Sequence, residues 1–195
     1  MMLIAPVDGG VVDGAAGLGH DPAMDADLPR SFDLAVSHSQ VIIHLPTVER
    51  PGHRWEEDHL RQGFAWSEGL VSLAVPEHAE ICRVRVEIVE EHAVPADCLS
   101  CVRVPFEVTA GPLSIGSVFE AEEVEIPLDR YALIFTVRPG EGRWTLELDG
   151  ETESGEYSDL LEVTLIPTAD PSFAILRAGG GVQVDRVLRE DAETA

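Results

Sequence analysis

The sequence has no lysine and no asparagine, so all 13 of its basic residues are arginines, set against 36 acidic residues and a net charge of −23. A field of that sign repels nucleic acid, whose binding depends on neutralising phosphates with Lys and Arg, and this excludes a nucleic-acid partner. The same field draws in basic proteins and speeds encounter with them. Without lysine the glycine stretches GAAGLG and AGGGVQ cannot be P-loops, and neither opens a helix after a strand. No G-x-S-x-G occurs, so no nucleophile elbow is present. Apolar runs fall well short of the ~18 residues that a membrane helix needs. The opening MMLIAPVDGG holds one four-residue apolar burst and no basic residue precedes Arg30, so a secretory leader is not expected and the location expected is cytoplasmic. Cysteine is scarce and odd in number at three, too few for a disulfide scaffold, which agrees with a reducing compartment.

What is present is a two-residue period. At 195 residues and 45% hydrophobic content, one domain with a substantial core is expected. Residues 1–30 read as a flexible extension, rich in Gly, Ala, Asp and Pro with too little apolar surface to offset ordering. From Phe32 the alternation begins, with a break at Ser37-His38-Ser39 that suggests a bend before Val41–Leu45. Leu70–Val75, Ile81–Glu91, Val102–Val108, Val124–Leu128, Tyr131–Arg138, Arg143–Leu148 and Tyr157–Ile166 continue it. Phe173–Leu176 and Val182–Leu188 read as closing strands, and Arg189–Ala195 as a frayed end. Nine or ten short strands punctuated by Gly, Pro and Asp predict an all-β fold, an antiparallel two-sheet β-sandwich over residues 31–188. One short helix is expected at Trp55–Gln62, with Glu56, Glu57 and Asp58 in its first turn, where negative charge suits the dipole.

Candidate chemistry is thin. Cys98-Leu99-Ser100-Cys101 is a lone C-x-x-C that, with Cys82 and His92, could close a zinc site or form a redox pair, but Cys82 falls on an apolar strand face where a thiol is a small hydrophobe. His38, His44 and His59 could suggest a metalloenzyme, without the close His-x-His spacing that would strengthen it. No catalytic residue, metal set or cofactor is assigned, and the chain is expected not to be an enzyme. Two acidic clusters remain: Glu120, Glu122, Glu123 and Glu125, and a run from Glu147 to Glu162 that includes Asp149, Glu151, Glu153, Glu156 and Asp159. If extended, Glu151 and Glu153 share a face about 7 Å apart, a row of charge able to stand in for phosphates. Phe64 and Trp66 are the candidate apolar anchors, since aromatics dominate interface hot spots.

The segments SHSQVIIHLP (37–46), RWEEDHLRQGFAWSEGLVSL (54–73), VRVPFEV (102–108) and YALIFTVRPG (131–140) resemble the competence protein J family. The core of the resemblance is the pattern Trp55, His59, Gln62-Gly63-Phe64-Ala65, and it extends over roughly Phe32 to Ile166. The family is the small inhibitor of a DNA-entry nuclease in naturally competent bacteria. The resemblance therefore implies a non-enzymatic protein that binds a nuclease and blocks it, and it transfers no contact residues. An acidic inhibitor can fill a nuclease's electropositive groove and approach its metal. Two other readings stay open at this point: an immunity protein against a toxin nuclease, and a carbohydrate- or ligand-binding sandwich with Trp55, Trp66 or Trp144 exposed on one flat face.

Overall fold

The computed structural model describes residues 28–148 and 151–195. Its elements run β1 (Arg30–Ala35), β2 (Gln40–His44), α1 (Glu57–Gln62), β3 (Phe64–Ser67), β4 (Leu70–Ala74), β5 (Ile81–Ile88), β6 (Ser100–Val108) and β7 (Leu113–Gly116). They continue with β8 (Ala121–Val124), β9 (Asp129–Pro139), β10 (Arg143–Leu148), β11 (Glu151–Glu156), β12 (Asp159–Pro167) and β13 (Ala174–Arg177). The fold is all-β with one short helix.

Two sheets stack face to face. The larger has the order β1-β5-β12-β9-β6-β13 and the smaller β3-β4-β2-β7-β8. Their inward positions interdigitate in one core: Leu34, Val84, Val104, Phe106, Leu133, Phe135 and Val163 from one side, Val41, Ile43, Phe64, Leu73 and Ile115 from the other. This is the layer geometry that period-two alternation demands. β5 shows the cause: Cys82, Val84 and Val86 are buried while Arg83, Glu87 and Arg85 stay at least partly in water. Pro105 sits inside β6, yet β13 pairs only with Cys101–Arg103. Beyond that point β6 is an open edge, where proline forfeits no ladder bond.

The purely antiparallel expectation is corrected at one place, because β12 runs parallel to β5, Leu160 opposite Arg83 through Leu165 opposite Ile88. Alternation reports which faces are buried, not strand direction. β12 lies at the sheet's centre, and its antiparallel partner β9 fixes its direction. A further departure is the ribbon β10–β11, which pairs with neither sheet.

The helix and the C-terminal segment explain each other. α1 ends at Gly63, whose φ of 78° and bond from its N–H to the His59 carbonyl close the last turn. Gln62, fully buried, donates to the Phe64 and Arg189 carbonyls and accepts from the Leu188 and Arg189 amides. His59 Nδ1 accepts from the Glu56 amide, which leaves Nε2 protonated to donate to the Asp191 carbonyl at 3.0 Å. Arg189 pairs with Glu56 at 2.6 Å, and the Ala195 amide donates to the Gly52 carbonyl. The frayed end expected at Arg189–Ala195 is therefore not found: buried polar groups of the helix hold it down. Val182–Leu188 is not a strand either, apart from a bridge of Gly179 to Val182. Its residues follow the helix instead, the Gln183 amide donating to the Arg61 carbonyl. The extension expected over residues 1–30 lies, up to residue 27, outside the described residues.

Candidate protein-docking surface

The ribbon grows from the two central strands of the larger sheet. β9 and β12 pair as far as Pro139 opposite Asp159, and the ladder resumes as Arg143 opposite Glu156. Between them the chain bends at Gly140, where a Cβ would meet the Tyr157 carbonyl oxygen at 2.0 Å, so only glycine fits. The ribbon's root is fixed. Tyr157 is buried, its hydroxyl donates to the Asp33 carboxylate at 2.8 and 3.0 Å, and the Arg83 guanidinium lies 4.6 Å from its ring centre.

Along the ribbon Trp144 stands opposite Gly155, Leu146 opposite Glu153 and Leu148 opposite Glu151. Directly opposed residues share a face, so Trp144, Leu146, Glu153 and Glu151 lie on one side. The indole lies on Gly155, where a Cβ would come within 2.8 Å of it. Residues 143–156 carry five carboxylates and one arginine. Among the described residues Glu147, Glu151, Glu153 and Glu156 have no ion-pair partner, even though Arg143 faces Glu156 in register. Their field is uncompensated and points to solvent.

β8, at the edge of the smaller sheet, brings the second cluster. Glu120, Glu122, Glu123 and Glu125 are all exposed. Glu122 pairs with Arg30 at 2.9 Å and Glu120 accepts the Ala35 amide at 2.5 Å, ties that fasten β1 of the larger sheet to β8 of the smaller. Glu123 and Glu125 have no ion-pair partner among the described residues. The ribbon and the start of the second cluster meet at a cleft of about 180 Å³ lined by Asp33, Ala35 and Glu120 on one side and Trp144, Thr145 and Leu146 on the other, with Glu120 the one carboxylate of either cluster in its lining.

Asp159, Phe64 and Trp66 do not belong to this surface. Asp149 lies outside the described residues. Asp159 is a correction: its side chain is 1% exposed, with the ring of exposed His78 at 3.6 Å and neither carboxylate oxygen hydrogen-bonded. Burial holds its pKa above the usual carboxylate range. Phe64 is the other correction, since it is fully buried and stacks on Phe173 at 6.0 Å between ring centres. Trp66 is half-buried, donates to the Pro105 carbonyl at 2.7 Å and meets Phe173 edge-on at 5.3 Å. It helps hold the segment after β12 and presents no free ring. Core packing is the ordinary fate of aromatics that follow a helix into a sheet, as Phe64 and Trp66 do; for Asp159 the acidic run shows charge and not what will cover it.

The remaining candidates are also placed. Trp55, Trp66 and Trp144 line three different clefts, not the one flat face of a ligand-binding module. Both His59 ring nitrogens are used by backbone groups. His44 Nδ1 lies 2.9 Å from the Leu45 carbonyl oxygen, and His38 packs on Phe119. No group of three or more metal-ligating side chains occurs among the described residues. All three cysteines are free and buried, and burial pushes the Cys82 and Cys101 thiols up to about 11, away from redox reactivity. No helix among the described residues is long and apolar enough to cross a membrane.

Sequence reasoning missed Val118 and Phe119, which join β7 to β8 and are 44% and 82% exposed. The only available signal was an apolar pair standing between Gly116-Ser117 and the glutamates of β8, where turn residues would be expected.

Comparison with known proteins bears on the same architecture. The crystal structure of ComJ, inhibitor of the DNA degrading activity of NucA, from Bacillus subtilis, matches with a TM-score of 0.57 at 17% sequence identity, covering 71% of this chain and 96% of that chain. No curated protein matches. The family model for Competence protein J (ComJ) matches residues 33–166, from within β1 to within β12. With more than half of its length matched, from the first strand to the last central one, the chain belongs to the competence protein J family.

Proposed function

We propose that this chain is a protein inhibitor of a DNA-degrading nuclease and is not itself an enzyme. The observation that carries the reading is the family match over residues 33–166; the uncompensated carboxylates of the ribbon and of β8 supply the physical means. A nuclease must present an electropositive groove to hold DNA, and an arm bearing Glu147, Glu151, Glu153 and Glu156 is complementary to it. Glu151 and Glu153 lie two residues apart on one strand face, about 7 Å, close to the spacing of successive phosphates along a nucleic-acid strand. Occupying the groove excludes DNA without chemistry on either partner. The net charge of −23 keeps the inhibitor itself off DNA and steers it to the enzyme. Buried, unpaired thiols fit a reducing compartment, and the cytoplasm is the one proposed.

The test is affinity capture with the full chain from an extract of its source organism, with mass spectrometry of the bound fraction and a DNA-degradation assay on it. A nuclease released by high salt, whose activity is suppressed until release, is expected. Capture of no nuclease at low salt counts against the proposal.

A further inference from the structure

The tip formed by Val118 and Phe119 is the most exposed apolar feature of the described surface, and its surroundings hold it in place. Tight two-residue connections between strands favour Gly, Asn and Asp, so a β-branched residue followed by phenylalanine breaks the local rule. Phe119 is 82% exposed and gains nothing from burial within its own chain. The backbone beneath it is clamped. The Ser117 amide donates to the Glu120 carbonyl at 2.8 Å, and a Cβ on Gly116 would meet that same oxygen at 2.2 Å. The Ser117 hydroxyl accepts the Ser37 amide at 2.8 Å and lies 3.1 and 3.2 Å from the Ser37 and Gln40 carbonyls. That network locks the tip to the turn between β1 and β2.

The neighbouring turn carries strain. His38 and Ser39 have φ of 56° and 51°, a left-handed conformation that costs a residue with a side chain about 1–2 kcal/mol. Its consequence is placement of the His38 ring 5.9 Å from the Phe119 ring, at an angle of 58°. Carboxylates follow the tip directly in the chain, Glu120 held by the Ala35 amide, Glu122 by Arg30, and Glu123 without an ion-pair partner among the described residues, and the cleft at Glu120 leads to Leu146, 49% exposed, and to Trp144. A fixed exposed aromatic beside a charged strand is the anatomy of an interface hot spot, in which the aromatic supplies residence time and the charge supplies approach.

We infer that the Val118–Phe119 tip is the apolar anchor of the docking surface, Phe119 entering an apolar pocket beside the basic groove of the protein partner. The occupant is a basic protein and not a second copy of this chain, because two surfaces this acidic repel one another. The inference rests on the nuclease reading for the identity of the partner. It divides labour on the surface: the ribbon carboxylates set how fast the complex forms, and Phe119 sets how long it lasts.

The experiment measures association and dissociation rates of Phe119→Ala and Glu151→Arg/Glu153→Arg on a purified NucA-type nuclease from the source organism, with sedimentation of each form alone. Because the ring touches no core residue, Phe119→Ala keeps the wild-type melting temperature. Dissociation of Phe119→Ala roughly thirtyfold faster or more, with association changed less than threefold, is expected for loss of a hot-spot aromatic. Unchanged dissociation, with wild-type binding intact, overturns the anchor and leaves the nuclease reading standing. No binding by the wild type removes both. A wild-type dimer that Phe119→Ala dissolves assigns the tip to self-association and also overturns the inference.

Discussion

Reversing two charges on the ribbon tests the electrostatic half of the docking surface. Glu151 and Glu153 are exposed, share a face and lack ion-pair partners among the described residues, so Glu151→Arg/Glu153→Arg removes no internal contact. Two such changes shift the arm by four charge units. At ~10 Å in water, with a Debye length of ~8 Å, each unit charge interacts with each cation of a groove by about 0.1 kcal/mol. A groove of about five cations then loses about 2 kcal/mol of attraction, roughly thirtyfold in association rate at physiological salt. The effect should grow at low salt and vanish near 1 M, where screening is complete within ~3 Å. Surface plasmon resonance on the nuclease gives the rates. The control is Glu90→Arg/Glu91→Arg, the same charge change just past the end of β5 that lies away from the ribbon. A ribbon variant that associates as fast as wild type, or a control that slows association equally, refutes an electrostatic role for the ribbon.

Three further outcomes follow from the interior. Gln62→Leu strips four backbone groups of their partner, and should cost about 2–4 kcal/mol, with faster hydrogen exchange at Leu188 and Arg189 than in wild type. Protection unchanged there would mean that the C-terminal segment is held by something else. Asp159→Asn should raise the melting temperature at pH 7, by the equivalent of about 1–3 kcal/mol, because a buried carboxyl without hydrogen bonds is relieved of its charge. Its folded pKa is raised, so the penalty exists only above the unfolded value and the gain must fade below about pH 4; a gain independent of pH would sink the explanation. His53, between the Ser72 and Ser67 hydroxyls, has its pKa lowered to about 4 by burial and then by His59. The unfolded chain takes up that proton first, so stability is lost as pH falls from about 6.5 towards 4 and levels off below. His53→Gln should flatten that slope in urea titrations, and an unaltered slope would exclude His53 as its source.

Much of the fold was legible because burial follows period. Cys82, Val84 and Val86, or Val102, Val104 and Phe106, announce one wet and one dry face, and the structure puts them where the alternation says. β7 was missed because Leu113-Ser114-Ile115-Gly116 is too short to show a period, and Val124–Leu128 was read as a strand although β8 ends at Val124. The direction of β12 and the seating of Gln183–Ala195 depend on long-range partners, and local pattern carries no such information. At the site, charge was legible and position was not. Glu151 and Glu153 read as a pair two residues apart in sequence and are one in space, whereas Asp159 belongs to the same acidic run and turns inward at the ribbon's root. Phe119 went unread because exposure of an aromatic depends on what fails to cover it.

The central claim is inhibition, and one titration tests it most directly. Increasing amounts of the full chain are added to a fixed concentration of the purified NucA-type nuclease from its source organism, and the rate of loss of linear DNA is followed at 50 mM and 500 mM salt. The account predicts that cleavage stops near one inhibitor per enzyme at low salt and that more inhibitor is needed at high salt. Undiminished cleavage at a large excess of the chain at low salt would contradict it.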